Sequence, residues 1–261
     1  NLLKNPLAGP YTLGVSSGAS FGAAIAIVLG TRIWGSQFII KSQVFTSLFA
    51  FIFGGIAMML VFLISKIKDN SITVLLLAGV AVSSLFSAGL SALKYISNAE
   101  ALRDLMLWLM GGFWGAKWKN IYILFPVVLL SSIVLYTKSQ DFNALFLGDD
   151  LAKTMGVDVK KTHKVGLLLT TLMASTAIAF SGIIGFIGLV APHISRSIFG
   201  TDNKILIPAS ALMGSFILLL ADTIARNAFS PIEIPVGIIT SLIGAPFFIY
   251  ILISRKSGDW Q

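Results

Sequence analysis

Apolar residues in this chain come in long unbroken runs, not in the one-face periodicities of a water-exposed helix or strand. Eight runs stand out, at about residues 15–30, 43–65, 72–93, 120–136, 165–181, 183–199, 205–225 and 236–253. Most reach the roughly 17 to 25 residues that a helix needs to cross a bilayer. The pattern predicts an all-α polytopic membrane protein, with residues 1–261 forming a single transmembrane domain. Residues 1–14 read as a loop, because Pro6, Gly9, Pro10 and Gly14 interrupt any period. Gly14, Gly18 and Gly22 are four apart, the spacing that lets membrane helices approach closely. Residues 101–110 are apolar but too short to cross, and Arg103 and Asp104 interrupt them. They predict a short surface helix ending at Gly111-Gly112. Pro126 should kink the fourth run. The longest polar connection covers residues 137–164.

The sixth run is the densest in unusual residues. It opens Ser181-Gly-Ile-Ile-Gly-Phe-Ile-Gly-Leu-Val-Ala-Pro-His-Ile-Ser-Arg196. Gly182, Gly185 and Gly188 recur every third residue, so on a helix they would lie near one face and admit another backbone. Pro192 removes a backbone donor, and the helix is expected to break there. Such a break in lipid is tolerated only where protein or a water-filled cavity satisfies the freed groups.

Composition agrees with the pattern. The chain is 56% hydrophobic and 11% charged, with a mean hydropathy of +0.90. Soluble domains carry about a quarter charged residues. Cysteine is absent, which removes disulfides, thiolate metal sites and thiol catalysis. The net charge of +8 raises nucleic acid as a partner, but the basic residues sit at the ends of apolar runs, so membrane orientation explains them better. Eight crossings put both termini on one side. Twelve of the 19 lysines and arginines fall on that side, which makes it the cytoplasmic one.

Few residues carry candidate chemistry. No G-x-x-x-x-G-K-[ST] loop occurs, so any ATP is hydrolysed by another subunit. No catalytic constellation or metal set is found, and His193 lacks a second soft ligand, which favours capping or packing at the kink. In the polar connection, Leu147, Leu151 and Met155 are spaced by four, an apolar stripe on a short helix bracketed by Gly148 and Gly156. Asp149 and Asp150 suit its N-terminus. Two readings stand for this element, a solvated loop helix or a docking surface for a partner. Asp222 and Arg226 are one turn apart and read either as an ion pair or as an outer docking point, with Glu233 following. Asn5 reads either as a turn residue before Pro6 or as part of a gate.

Five stretches together resemble a known family. Besides Gly185–Arg196 they are Asn5–Gly14 (NPLAGPYTLG), Leu75–Gly79 (LLLAG), Trp108–Gly112 (WLMGG), and Glu233–Gly237 (EIPVG) running into Gly244–Phe248 (GAPFF). They span almost the whole chain in the order seen in the FecCD-type permeases, the transmembrane subunits of ABC importers for iron-siderophores, haem and cobalamin. The resemblance implies a type II importer permease with ten helices, of which this chain would hold the last eight. It implies a second permease, identical or not, two ATP-binding subunits that carry ATP and Mg, and an extracytoplasmic binding protein. The chain itself would bind no cofactor and no nucleic acid and would lie in lipid, in a bacterial inner or plasma membrane with both ends cytoplasmic. Residues 137–164 would be the cytoplasmic coupling loop, with Leu147, Gly148, Asp149, Asp150, Leu151, Met155 and Gly156 meeting the ATPase. Asn5, Leu7 and Thr73 would belong to the cytoplasmic gate, and Arg226 and Glu233 would meet the binding protein. The implied cargo is an iron chelate, ferric siderophore before haem before cobalamin. The rival class is an ion-coupled secondary transporter, which needs intramembrane ionisable residues; Asp222, at the end of a run, is the one acidic candidate.

Overall fold

The computed structural model describes residues 9, 13–34, 43–67, 72–228 and 231–254. Among them the chain is all helical, with eleven helices: α1 (Val15–Trp34), α2 (Gln43–Ile67), α3 (Ile72–Ile96), α4 (Ala99–Met110), α5 (Trp118–Thr137), α6 (Ser139–Leu147), α7 (Asp149–Thr154), α8 (Val159–Ser181), α9 (Ile187–Phe199), α10 (Asn203–Asn227) and α11 (Val236–Ser254). Five of them, α2, α3, α5, α8 and α10, are long and apolar enough to cross a membrane. Their apolar side chains are largely exposed on the isolated chain, as at Leu77, Val80, Leu130 and Leu212. That is the pattern of helices whose solvent is lipid or another subunit.

The described residues fall into two compact units, one running up to Val127 together with Thr170–Ile183, the other comprising Val128–Leu169 and the residues from Ile184 on. Helices α5 and α8 contribute to both. In the first unit α1 packs on α2, α3 and α4. Gly18 and Gly22 make the α1–α2 crossing possible: a Cβ on Gly18 would lie 2.7 Å from Ala57 Cβ, and one on Gly22 would lie 2.9 Å from Phe53 Cβ. Ala19, Ala23, Ala50 and Ala179 fill the same seam. Small side chains let the backbones approach, which is the main source of attraction where lipid removes the hydrophobic drive.

Helix α4 begins where Asn98 accepts a hydrogen bond from Ala101 N at 2.8 Å, an N-cap. It is the short helix expected, ending at Gly111, and one of its faces is exposed. Ala101 and Leu105 are fully buried with Ala24, Ile27 and Val28, so α4 is amphipathic and anchors the end of α1.

In the second unit α10 is central. It packs on α6, α9 and α11, and α6 packs on α7. Phe142, Ala144, Leu145 and Ala152 form a small core that folds the two short helices together. Here the sequence expectation needs correction, because Leu147, Leu151 and Met155 do not share one helix. Gly148 adopts φ 129°, ψ 150°, a conformation essentially reserved for glycine, and so ends α6 before α7 begins. Helix α8 likewise starts at Val159, earlier than the apolar run at 165 suggests.

Candidate functional site

The Ser181–Arg196 stretch departs furthest from its expected form. Residues 182–186 are not regular helix, and α9 starts at Ile187 and continues through Pro192. Gly182 and Gly185 therefore precede the helix, and the three glycines do not line one face. The break lies at the glycines, upstream of the proline. Phe186 caps α9 from the left-handed region, φ 66° and ψ −29°, rare for a residue with a Cβ. Pro192 leaves only the carbonyl of Gly188 without its usual helical donor. At 13 residues α9 rises about 20 Å, too short to cross alone.

Three approaches between distant segments fall at glycines, two of them between the motifs and one between the Trp108–Gly112 motif and Gly182, just before Gly185–Arg196. Gly14, at φ 87°, sits against α3; a Cβ there would lie 3.5 Å from Gly79 O and 3.1 Å from Ser83 Oγ. Gly182, at φ 68°, faces Gly111, with 3.1 Å from its Cβ position to Gly111 Cα, and a side chain there would collide with Trp108 O. Gly112 N donates to Ser181 O at 2.8 Å beside it. In the other unit, a Cβ on Gly244 would strike Phe186 Cβ, and His193 stacks edge-on against Phe247 with ring centroids 6.2 Å apart. His193 is thus placed by ring packing. Among the described residues the close crossing expected at Gly188 is not made, since none of them lies within 4 Å of its Cβ position, and Gly185 meets only Ser241 Oγ at 3.8 Å.

On the polar side, Leu147, Leu151 and Met155 are all more than half exposed, and Phe146 joins them. They sit on α6, α7 and the turn after α7, held together by the core beneath. Gly156, at φ 84°, turns the chain toward α8. Asp150 pairs with Lys153 at 2.9 Å, and this hydrogen bond to Asp150 holds the lysine's pKa above its usual value. Asp149 opens the first turn of α7.

The sequence reading missed how this loop is fastened. Asn143 on α6 donates through Nδ2 to Asp202 Oδ1 at 2.8 Å. Its Oδ1 accepts from Asn203 N at 2.9 Å and from Asn203 Nδ2 at 2.7 Å. Asp202 is also the N-cap of α10, accepting from Lys204 N at 3.0 Å. The hydrogen bond from Asn143, reinforced by Lys204 N–H, holds the Asp202 carboxyl below the usual carboxylate range. An asparagine in an otherwise featureless loop gives no signal of this in sequence.

At the opposite end of α10, Arg226 Nε donates to Asp222 Oδ2 at 2.9 Å, with the arginine about half exposed. Glu233 is exposed in the following loop, which folds back through Ile234 N to Ala225 O at 3.1 Å. Thr73 is exposed in the first turn of α3, while Asn5 and Leu7 lie outside the described residues. A cavity of about 240 Å³ in the first unit, lined by Gln43, Asp104, Trp108, Trp114 and Ser181 among others, was not foreseen either. Gln43 Nε2 spans to Gly115 O at 2.7 Å along its wall.

Comparison with known proteins agrees with this arrangement. A family model described as the FecCD transport family matches residues 1–254. MJ0087 of Methanocaldococcus jannaschii, assigned as an ABC transporter permease, is 42% identical over 97% of this chain and 73% of its own length. The hemin transport system permease HmuU of Yersinia pestis is 37% identical over 98% of this chain and 75% of its own. The molybdate import system permease MolB of Haemophilus influenzae is 38% identical over 98% and 74%. Among solved structures, an inward-facing transporter assigned to the metal-chelate ABC type superimposes with a TM-score of 0.86 at 35% identity, covering 97% of this chain and 78% of that one.

Proposed function

The chain belongs to the FecCD transport family of ABC permeases, and from that premise we propose that it is the transmembrane subunit of an ATP-driven importer of a metal chelate. The observation that carries this reading is the family match over residues 1–254, which takes in all five motifs. Ferric siderophore is the cargo we favour, then haem, then cobalamin. HmuU and MolB, at nearly equal identity, are named for very different cargoes, so identity alone does not choose between them.

In this reading the chain makes eight passes, with α9 and the non-helical 182–186 segment together serving as one of them, and corresponds to the last eight helices of ten. Both ends are cytoplasmic. A second permease lines the other half of the path, two ATP-binding subunits sit beneath, and a binding protein delivers cargo from outside. Asn5, Leu7 and Thr73 belong to the cytoplasmic gate. Arg226 and Glu233 form the outer docking point. The Asp222–Arg226 ion pair does not exclude that role, because the guanidinium is about half exposed and keeps donors free of Asp222.

ATP hydrolysis in the partner enters this chain through the 137–164 loop. Three exposed apolar side chains on the polar side of a membrane protein, Leu147, Leu151 and Met155, are a surface that needs covering. Gly148 and Gly156 set the angles at which they are presented. A test is Leu151→Asp. A charge buried without a partner costs several kcal/mol or forces a shifted pKa, so the variant should insert normally but fail to co-purify with the ATP-binding subunit or fail to respond to it. An intact complex transporting at the wild-type rate would remove this loop from the coupling site.

A further inference from the structure

We propose that Asn143, Asp202 and Asn203 form a latch that transmits movement of the 137–164 loop to α10, which makes Asn143 a positioning residue for coupling. The inference rests on the importer reading above and adds the route by which the loop acts on the membrane helices.

The case begins with hydrogen-bond chemistry. One side-chain amide has a two-lone-pair acceptor and a donor, and Asn143 uses both on the same target. Its oxygen takes two N–H donors from Asn203, and its nitrogen donates to the Asp202 carboxylate. Apolar contacts between α6 and α10 can slide; three directed hydrogen bonds to one helical turn resist both shear and rotation. The bond to Asp202 is charge-assisted and so is among the stronger kind. Asn203 is only 6% exposed, which limits competition from water at its two bonds, whereas the bond to Asp202 is exposed.

The second step concerns what is being held. Asp202 is the N-cap of α10, so a pull on it acts on the first turn of that helix. Helix α10 is a single element of 25 residues, about 37 Å long, and continues through Pro208, which removes one hydrogen bond in its second turn. Its far end carries Asp222 and Arg226. The loop core of Phe142, Leu145 and Ala152 makes α6 and α7 move as one body. A displacement at Leu151 therefore reaches Asn143 through packed side chains and reaches the far end of α10 through a continuous helix. Rigid-body shifts of this kind are a common repertoire of switching transitions.

The test exploits the polarity of the amide. Asn143→Asp keeps the shape and the buried face of α6 but replaces the donor with an oxygen facing Asp202. The companion variant is Asp202→Asn: Asp202 Oδ1 accepts both Asn143 Nδ2 and Lys204 N, and an asparagine keeps an oxygen there, so both hydrogen bonds and the N-cap survive and only the charge is lost. The assay uses the full complex in proteoliposomes and reads ATP hydrolysis with and without the cargo-free binding protein. Asn143→Asp should keep its basal rate and lose stimulation by about two- to fivefold, the scale of a solvent-exposed hydrogen bond to a charge; Asp202→Asn should keep most of it. A merely structural role would lower assembly and basal rate together. Wild-type stimulation in Asn143→Asp, or an equal loss in Asp202→Asn, overturns the latch. If the wild-type complex itself shows no response to a binding protein, the importer reading fails first and the latch falls with it.

Discussion

At the scale of single residues, glycines that look alike in sequence do different work. Gly182 and Gly188 belong to the same every-third-residue series. Gly182 sits at φ 68° with the Trp108 carbonyl where its side chain would be, whereas Gly188 lies in α9 with no described residue within 4 Å of its Cβ position. Gly182→Ala should therefore be costly, about 1 to 3 kcal/mol from overpacking with a strained backbone added. Gly188→Ala should be neutral or stabilising by about 0.5 to 1 kcal/mol, the usual gain of alanine in a helix. Melting of the detergent-purified chain, read beside its yield, separates the two; equal losses would mean that Gly188 is covered by a surface outside this chain. The sequence reading assumed an uninterrupted helix before Pro192, and on that assumption the spacing does predict one face. What it undervalued was the helix-breaking cost of the glycines themselves, about 1 kcal/mol each. The left-handed Phe186 had no sequence signal; it is held by the room that Gly244 leaves, a partner 58 positions away.

At the scale of elements, long apolar helices were legible and their short polar companions were not. The runs located α2, α3, α5 and α10 to within a few residues, because a hydrophobic stretch in lipid has only one way to satisfy its backbone. The loop between α5 and α8 obeys no such rule. Its apolar side chains were visible, but the break at Gly148 depends on one backbone angle, and the Asn143 fastening depends on residues about 60 positions distant. Helix α10 permits a clean prediction at its outer end. Arg226→Glu should slow association of the binding protein, most at low salt, with the difference shrinking as ionic strength passes about 0.15 M. The new carboxylate would face Asp222 one turn away, but like charges at that spacing cost only about 0.2 to 0.5 kcal/mol, so α10 should remain folded. Association rates across a salt series decide it. Unchanged rates would remove Arg226 from the interface.

At the scale of the whole molecule, segments that lie far apart in the chain touch within each of the two units. Gly14 meets Gly79, Gly182 meets Gly111, and Phe186 meets Gly244. The co-occurrence of the five motifs was legible; the reason for it was not, because close backbone approach between distant segments leaves no local period. The chain belongs to a family whose relatives are permease subunits of ABC transport systems. In the function proposed above the work comes from a partner, and that proposal separates an ABC permease from an ion-coupled carrier. The most direct measurement is uptake of radiolabelled ferric siderophore, haemin or cobalamin into proteoliposomes that hold the permease with its ATP-binding subunits, loaded with ATP and supplied with the binding protein. Uptake of at least one of these should require ATP and stop when the ATP-binding subunit is made hydrolysis-dead. Uptake that persists with the dead subunit and follows an imposed proton or sodium gradient would contradict an ATP-driven permease.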